Sequence, residues 1–226
     1  LEAAMCKLFC SVMGWKIVDD TVQIRGGRGY ETAQSLVGRG EEGIAIERMM
    51  RDFRINTLIE GSSEILKLFI SREALDPHMR VAGDMINPRA PIGKKIAALG
   101  KMAVFYSRWY PARWIHAPAA LKHGDFPGEV RSYVRYVERR AHKLGRTIFH
   151  CMGRYQAGLE RRQQILGRIV DIGTELFAMA SSCARATMLV QQNPADRTPY
   201  ELADLYCRQA RRRIEAQLGE ALHKAG

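Results

Sequence analysis

From residue 130 onward the apolar side chains keep a fixed course: Val130, Val134, Val137, Ala141, Leu144, Ile148, Cys151 and Tyr155, in alternating steps of four and three. A strand alternates its side chains with period two, so a seven-residue repeat held for more than three cycles belongs to a helix. Such a helix presents a narrow seam that must bury against a partner helix at a shallow crossing angle. A chain containing it is expected to build a helical bundle. The rest of the sequence agrees. Met5, Leu8, Phe9, Val12, Met13 and Ile17 recur at i, i+3, i+4 and predict a helix over roughly 1–22, with the β-branched tract KIVDDTVQI as its continuation rather than a strand. The glycine-rich QIRGGRGYE and a polar loop to about residue 43 follow. Further helices are expected near 45–57, where Arg48, Arg51 and Arg54 share a face, and after residue 60, with Ser62 or Ser63 as cap. Ile92, Ile96, Leu99, Ala103 and Tyr106 make another stripe, ending before Pro111. A broad apolar helix over about 158–191 carries Gly173, Ala178, Ala180 and Ser181, small enough for close approach. Thr198 and Glu201, with Pro199 between them, form a capping box that opens a last helix to about 222. The fold class is all-α, a helical bundle.

Charge divides the chain. Residues 1–85 hold 11 Lys and Arg against 13 Asp and Glu, residues 86–226 hold 24 against 11, so the two parts carry −2 and +13. The join, GDMINPRAPIG, has two prolines and two glycines and reads as the boundary between units 1–85 and 86–226. No apolar run approaches the roughly 20 residues that cross a bilayer, and no secretory leader is visible. The opening LEAAMCKLFC is already helical in pattern, with no initiator Met and no cap, so the chain reads as a fragment that starts within a helix, its targeting region not present. Five cysteines without a CxxC pair argue against a disulfide framework or zinc site and read as buried thiols of a reducing, cytoplasmic setting.

Few residues suggest chemistry. Gly26, Gly27 and Gly29 lack the spacing of a dinucleotide fingerprint and the Lys-Ser/Thr of a P-loop, and a helix stop explains them without a ligand. The serines of EGSSE are not in a GxSxG elbow. Cys6 and Cys10 share a helix face, and His142, His150 and Cys151 lie along one basic helix, but no pattern among them assembles a metal site, and none is expected. Arg135, Arg139, Arg140, Lys143 and Arg146 make a basic face without a recognition motif, so nucleic acid is not an expected partner. Glu60 is different. It closes the apolar run INTLIE directly before a helix start, where it either favours the positive end of the helix dipole or is a desolvated carboxylate with a raised affinity for protons.

Taken in order, QIRGGRGYE (23–31), AIERMMRDFRIN (45–56) and LIEGSSEILKLFISREAL (58–75), after a long helix, resemble the C-terminal helical domain of the acyl-CoA dehydrogenases. The resemblance is close to about residue 78. Beyond that the chain is similar to the helical extension of the very-long-chain branch and related bacterial enzymes. It implies an FAD-dependent α,β-desaturation of an acyl-CoA thioester in fatty acid β-oxidation, with Glu60 as the base that removes the α-proton. It also implies that Gln23, Gly26 and Gly27 reach the FAD of a neighbouring subunit in a homodimer, that Ser62 contacts the flavin, and that electrons pass to an electron-transfer flavoprotein. Glu64 replaces a Gln or Asp common in the family, and the stretch 30–44 is longer than in medium-chain relatives. On this reading the upstream domains that hold most of the FAD lie outside the chain, so the isolated chain is expected to be inactive and without FAD. The extension is read as a packing or dimer-stabilising element, with a peripheral membrane surface as a second partner for its basic faces. A reading from another class is a helical interaction or scaffold module in which Glu60 only caps.

Overall fold

The computed structural model describes residues 1–87, 89–115 and 126–223. Among them every regular element is helical. Two compact units form, Leu1–Ile70 and Ser71–Gly226. The first holds α1 (Glu2–Arg25), α2 (Gly27–Tyr30), α3 (Ala33–Gly38) and α4 (Ile46–Asn56). The second holds α6 (Ile92–Ala112), α7 (Gly128–Tyr155), a 3-10 segment (Gln156–Arg161), α8 (Gln163–Gln192) and α9 (Thr198–His223). The junction at residue 70 falls within α5 (Ser63–Ile86), whose far end lies where the charge of the sequence changes.

In the first unit α1 runs unbroken through KIVDDTVQI and stops where Gly26 turns left-handed at φ 61° and its N–H donates to the Gln23 carbonyl at 3.2 Å. α4 lies on α1. A Cβ at Gly14 would stand 2.3 Å from Phe53 Cε1, so the bare glycine admits the ring, and the Arg54 guanidinium sits 5.5 Å over the Trp15 ring. The expected polar loop to residue 43 instead contains α2 and α3. The Thr32 hydroxyl accepts from the Ser35 N–H at 3.2 Å, Leu36 is fully buried, and Arg39 pairs with both Glu31 and Glu41. Helices of four and six residues are too short to display a periodic face, which is why composition alone reads as loop.

The second unit is organised by α7, α8 and α9. Ile172, Leu176, Met179, Cys183, Ala186 and Val190 of α8 are buried against Tyr200, Ala203, Cys207, Ala210, Ile214 and Leu218 of α9. Both sets step by threes and fours, so all three helices share the seam geometry that the sequence displayed most openly on α7. Fully burying one such aliphatic side chain stabilises the fold by about 1.5–3 kcal/mol. On α7 the expected seam is buried at Val130, Ile148 and Cys151 and half-buried at Val134, Val137 and Leu144, while Ala141 is exposed. Tyr133 and Tyr136, off that seam, are buried as well, their hydroxyls donating to Asp204 and, at 2.7 Å, to Glu215. Burial and the Glu215 carboxylate push the Tyr136 phenol up to about 12.

Four expectations are corrected. Cys6 and Cys10 are exposed, although Cys151, Cys183 and Cys207 are buried as anticipated. α6 continues through Pro111, since one missing N–H near its end costs a single helical bond and the aromatic contacts of that turn outweigh it. Its aliphatic stripe faces outward, with Ile92 77%, Ile96 65% and Leu99 49% exposed. Tyr106 and Trp109 dock α6 on Phe149 of α7 instead, at centroid distances of 4.8 and 6.0 Å. Finally, the start of α9 is closed by Asp196, whose carboxylate accepts from the Thr198 N–H at 3.0 Å, rather than by a Thr198–Glu201 box.

Candidate active site

The connector from α4 to α5 is built by short-range hydrogen bonds. After Asn56 the N–H groups of Leu58 and Ile59 both reach the Ile55 carbonyl, at 2.9 and 3.0 Å, and buried Thr57 donates its hydroxyl to the Arg54 carbonyl at 2.8 Å. Ser63 N–H then returns to the Thr57 carbonyl at 3.2 Å and closes the loop. To turn back so tightly, Glu60 and Gly61 adopt φ 55° and 91° in succession. A left-handed residue with a Cβ costs on the order of 1–2 kcal/mol, so Glu60 is held there by its surroundings. Ser62 caps α5: its hydroxyl accepts from the Ile65 N–H at 3.4 Å and its carbonyl from the Leu66 N–H at 2.9 Å. A hydroxyl that accepts from a cap N–H retains a proton to donate.

Glu60 is exposed, not enclosed as its apolar approach suggested, and so are Leu58 and Ile59 just before it in the chain and Ile65 and Phe69 on α5. The carboxylate is therefore open to solvent, with exposed apolar side chains on either side of it in the chain. Across this connector lies Lys7 of α1, whose ammonium donates to the carbonyl of Ile59 at 3.1 Å and to that of Gly61 at 2.7 Å. Nothing in the local sequence marks Lys7, because both contacts join residues more than fifty positions apart.

Gln23, Gly26 and Gly27 occupy the opposite end of α1, all exposed. At 1.5 Å per residue, Gln23 lies about 24 Å along the helix from Lys7. A Cβ added at Gly26 or Gly27 would meet nothing within 4 Å, so this surface is open to close approach of a ligand backbone or ring. The fold thus gathers Glu60 and Ser62 in one connector and leaves the glycine segment at a separate pole. In fit, the outward glycines and the donor-capable Ser62 are compatible with a flavin nucleotide held from two directions.

The second unit offers other features. His78 is buried between Phe105, Tyr106 and Trp109, with its Nδ1 3.0 Å from the Tyr106 hydroxyl; burial first, and the Arg113 charge second, lower its affinity for protons below the ordinary value of 6.5. An open groove of about 730 Å³ runs along α6, lined by Gly100, Lys101, Val104, Phe105, Arg108 and Trp109. Among the described residues its lining has no carboxylate, so concavity alone does not locate the chemistry. Among the described residues no cluster of three or more His, Cys, Asp or Glu is placed to bind a metal, and no helix is long and apolar enough to cross a membrane.

Comparison with known proteins adds the context. Residues 1–75 match the family described as acyl-CoA dehydrogenase, C-terminal domain, and residues 129–225 the one described as ACAD9/ACADV, C-terminal domain. The chain is 45% identical over 223 residues to "Probable acyl-CoA dehydrogenase FadE10" of Mycobacterium tuberculosis, covering 96% of this chain and 33% of that protein. It is 27% identical over 216 residues to the human mitochondrial very long-chain specific acyl-CoA dehydrogenase, covering 95% of this chain and 31% of that one. A crystal structure of an acyl-CoA dehydrogenase complexed with FAD from Bacillus anthracis shares the fold, with a TM-score of 0.67 at 24% identity over 99% of this chain and 32% of that chain. The chain spans about a third of the length of the relatives it matches.

Proposed function

The chain belongs to the acyl-CoA dehydrogenases, residues 1–75 and 129–225 matching two C-terminal domains of that family, and from this premise we propose that it carries the catalytic base of an acyl-CoA α,β-desaturation. The observation that carries the proposal is Glu60, an exposed carboxylate held in a left-handed turn between exposed apolar stretches of the chain. A strained, non-glycine residue in a tight connector is the kind of feature that a functional site maintains. An acyl chain and the rest of the full-length protein would cover the exposed carboxylate and exclude water from it. Glu60 then takes the proton from the carbon next to the thioester carbonyl. FAD, when bound, supplies the acceptor for the hydrogen and electron pair that leave the β-carbon. Ser62 donates its hydroxyl toward the flavin while still capping α5, and Gln23, Gly26 and Gly27 offer open main chain to a cofactor held mainly by another subunit.

The 24 Å or so between the two poles of α1 supports that division. With the two groups at opposite ends of one helix, a homodimer in which each chain serves two sites is the arrangement proposed. An electron-transfer flavoprotein is the proposed electron acceptor, and the mycobacterial relative favours a bacterial cytoplasmic setting. A scaffold without redox chemistry is disfavoured by the family match. A second role rests on α6, where Ile92, Ile96 and Leu99 face outward near Lys94, Lys95 and Lys101, an apolar strip with cations suited to an acidic membrane surface.

The test uses the full-length protein with FAD bound. Glu60→Gln is expected to keep the flavin absorbance and lose acyl-CoA-dependent bleaching. Full bleaching by that variant would assign the base elsewhere.

A further inference from the structure

We propose that Lys7 is a positioning residue for the base: its ammonium fixes the left-handed turn that aims Glu60. This rests on the assignment of Glu60 as the base. The geometry is specific. The carbonyls of Ile59 and Gly61 belong to the peptide planes immediately before Glu60 and immediately after Gly61, the two residues at positive φ. Holding both planes from one point fixes the dihedrals between them, so the side-chain vector at 60 follows the ammonium of residue 7. The connector's own hydrogen bonds do not do this. The Ser63-to-Thr57 bond closes the loop at its base, and the bonds to Ile55 end at Ile59, leaving the tip at 60–61 to Lys7.

Chemistry also favours lysine here. An ammonium offers three donors on a flexible stem, enough for two carbonyls at once. Hydrogen bonds from a charged donor are stronger than neutral ones, so the pair can hold a left-handed conformation that the chain would otherwise leave. Because both bonds go to main-chain oxygens, the charge orients the base without occupying its oxygens. Lys7 stands one residue before buried Leu8, in the part of α1 that the core anchors, so the aim is referred to a rigid element.

The test compares Lys7→Met, Lys7→Gln and Lys7→Arg in the full-length FAD-bound protein, with Glu60→Gln beside them. A misplacement near 1 Å can cost on the order of 100-fold in rate. The limiting rate of flavin bleaching is therefore expected to fall about 10- to 100-fold in Lys7→Met, with flavin content, thermal midpoint and half-saturating acyl-CoA concentration nearly unchanged. Lys7→Arg, which can still donate to both carbonyls, should recover most of the rate. If Lys7→Met loses flavin, Lys7→Gln, uncharged and too short to hold both carbonyls, is read on the same measurements. Normal bleaching in a flavin-replete Lys7→Met or Lys7→Gln protein, no recovery by Lys7→Arg, or loss of flavin in every Lys7 variant overturns the positioning role. Normal bleaching by Glu60→Gln overturns the base assignment instead, so the two failures are distinguishable.

Discussion

Gly27 and Gly29 stand two residues apart and answer to different neighbours. A Cβ at Gly29 would lie 2.7 Å from the Val22 carbonyl oxygen and 2.9 Å from its Cα, main-chain atoms of α1 that cannot swing away. A Cβ at Gly27 meets nothing within 4 Å. Gly29→Ala is therefore expected to destabilise the chain by about 1–3 kcal/mol, as overpacking does, while Gly27→Ala leaves its thermal midpoint unchanged. In the full-length protein the order reverses in meaning: Gly27→Ala should fold normally yet weaken flavin retention, which dialysis followed by absorbance would measure. A Gly27→Ala protein that retains flavin as the parent does would remove Gly27 from the cofactor surface. At this scale the sequence was partly legible. Glu60, Ser62 and the glycines announce themselves because the turn, the cap and the helix stop are local events with local residue preferences. Lys7 does not, because its role exists only once α1 lies across the connector.

At the scale of elements, what was legible is whatever repeats. The seam of α7 could be read because its apolar residues are large and evenly spaced; the matching seams on α8 and α9 were masked by Ala186, Ala203 and Ala210, which pack as well but look neutral. The outward stripe of α6 shows the opposite failure, in that a periodic apolar face names a helix without saying which face wins. Here the aromatic face wins, since rings bury more area and make edge contacts that aliphatic groups lack. His78 of α5 is part of that contact, its ring 4.8 Å from Trp109 and edge-on to it. The unfolded chain protonates His78 near 6.5, the folded chain only at lower pH, so the unfolded state binds more protons as pH falls below that value. The contribution of His78 to stability is present above pH 6.5 and lost as pH drops toward the folded value. Denaturant midpoints taken from pH 8 to 5 should fall, with α6 loosening first as reported by Trp109 fluorescence, and His78→Phe should flatten that slope. An unchanged slope in His78→Phe would place the acid sensitivity in the carboxylates.

For the whole molecule, charge and exposed apolar surface have to be considered together. A net +13 after residue 85 is more than solubility requires, and self-repulsion makes it a cost unless an anionic partner relieves it. Several carboxylates of the bundle are already engaged by arginines: Glu175 accepts from Arg213 at 2.7 and 3.1 Å, Glu215 pairs with Arg140, and Asp204 with Arg208. The cations of α6 are placed otherwise, beside Ile92, Ile96, Leu99 and Val104, the most exposed large aliphatic run of the second unit. Apolar burial and attraction to anionic lipid act together on such a helix, and salt weakens only the second. The chain is therefore expected to float with vesicles containing an acidic phospholipid, to bind less as ionic strength rises, and to stay behind with neutral vesicles. Ile96→Asp with Leu99→Asp should abolish flotation and leave the thermal midpoint where it was, since neither side chain is in the core. If the double variant floats as before, the interaction belongs to another face. If the parent chain fails to float and instead sediments as a dimer that the same two aspartates dissociate, the outward stripe of α6 meets a second copy of the chain rather than lipid.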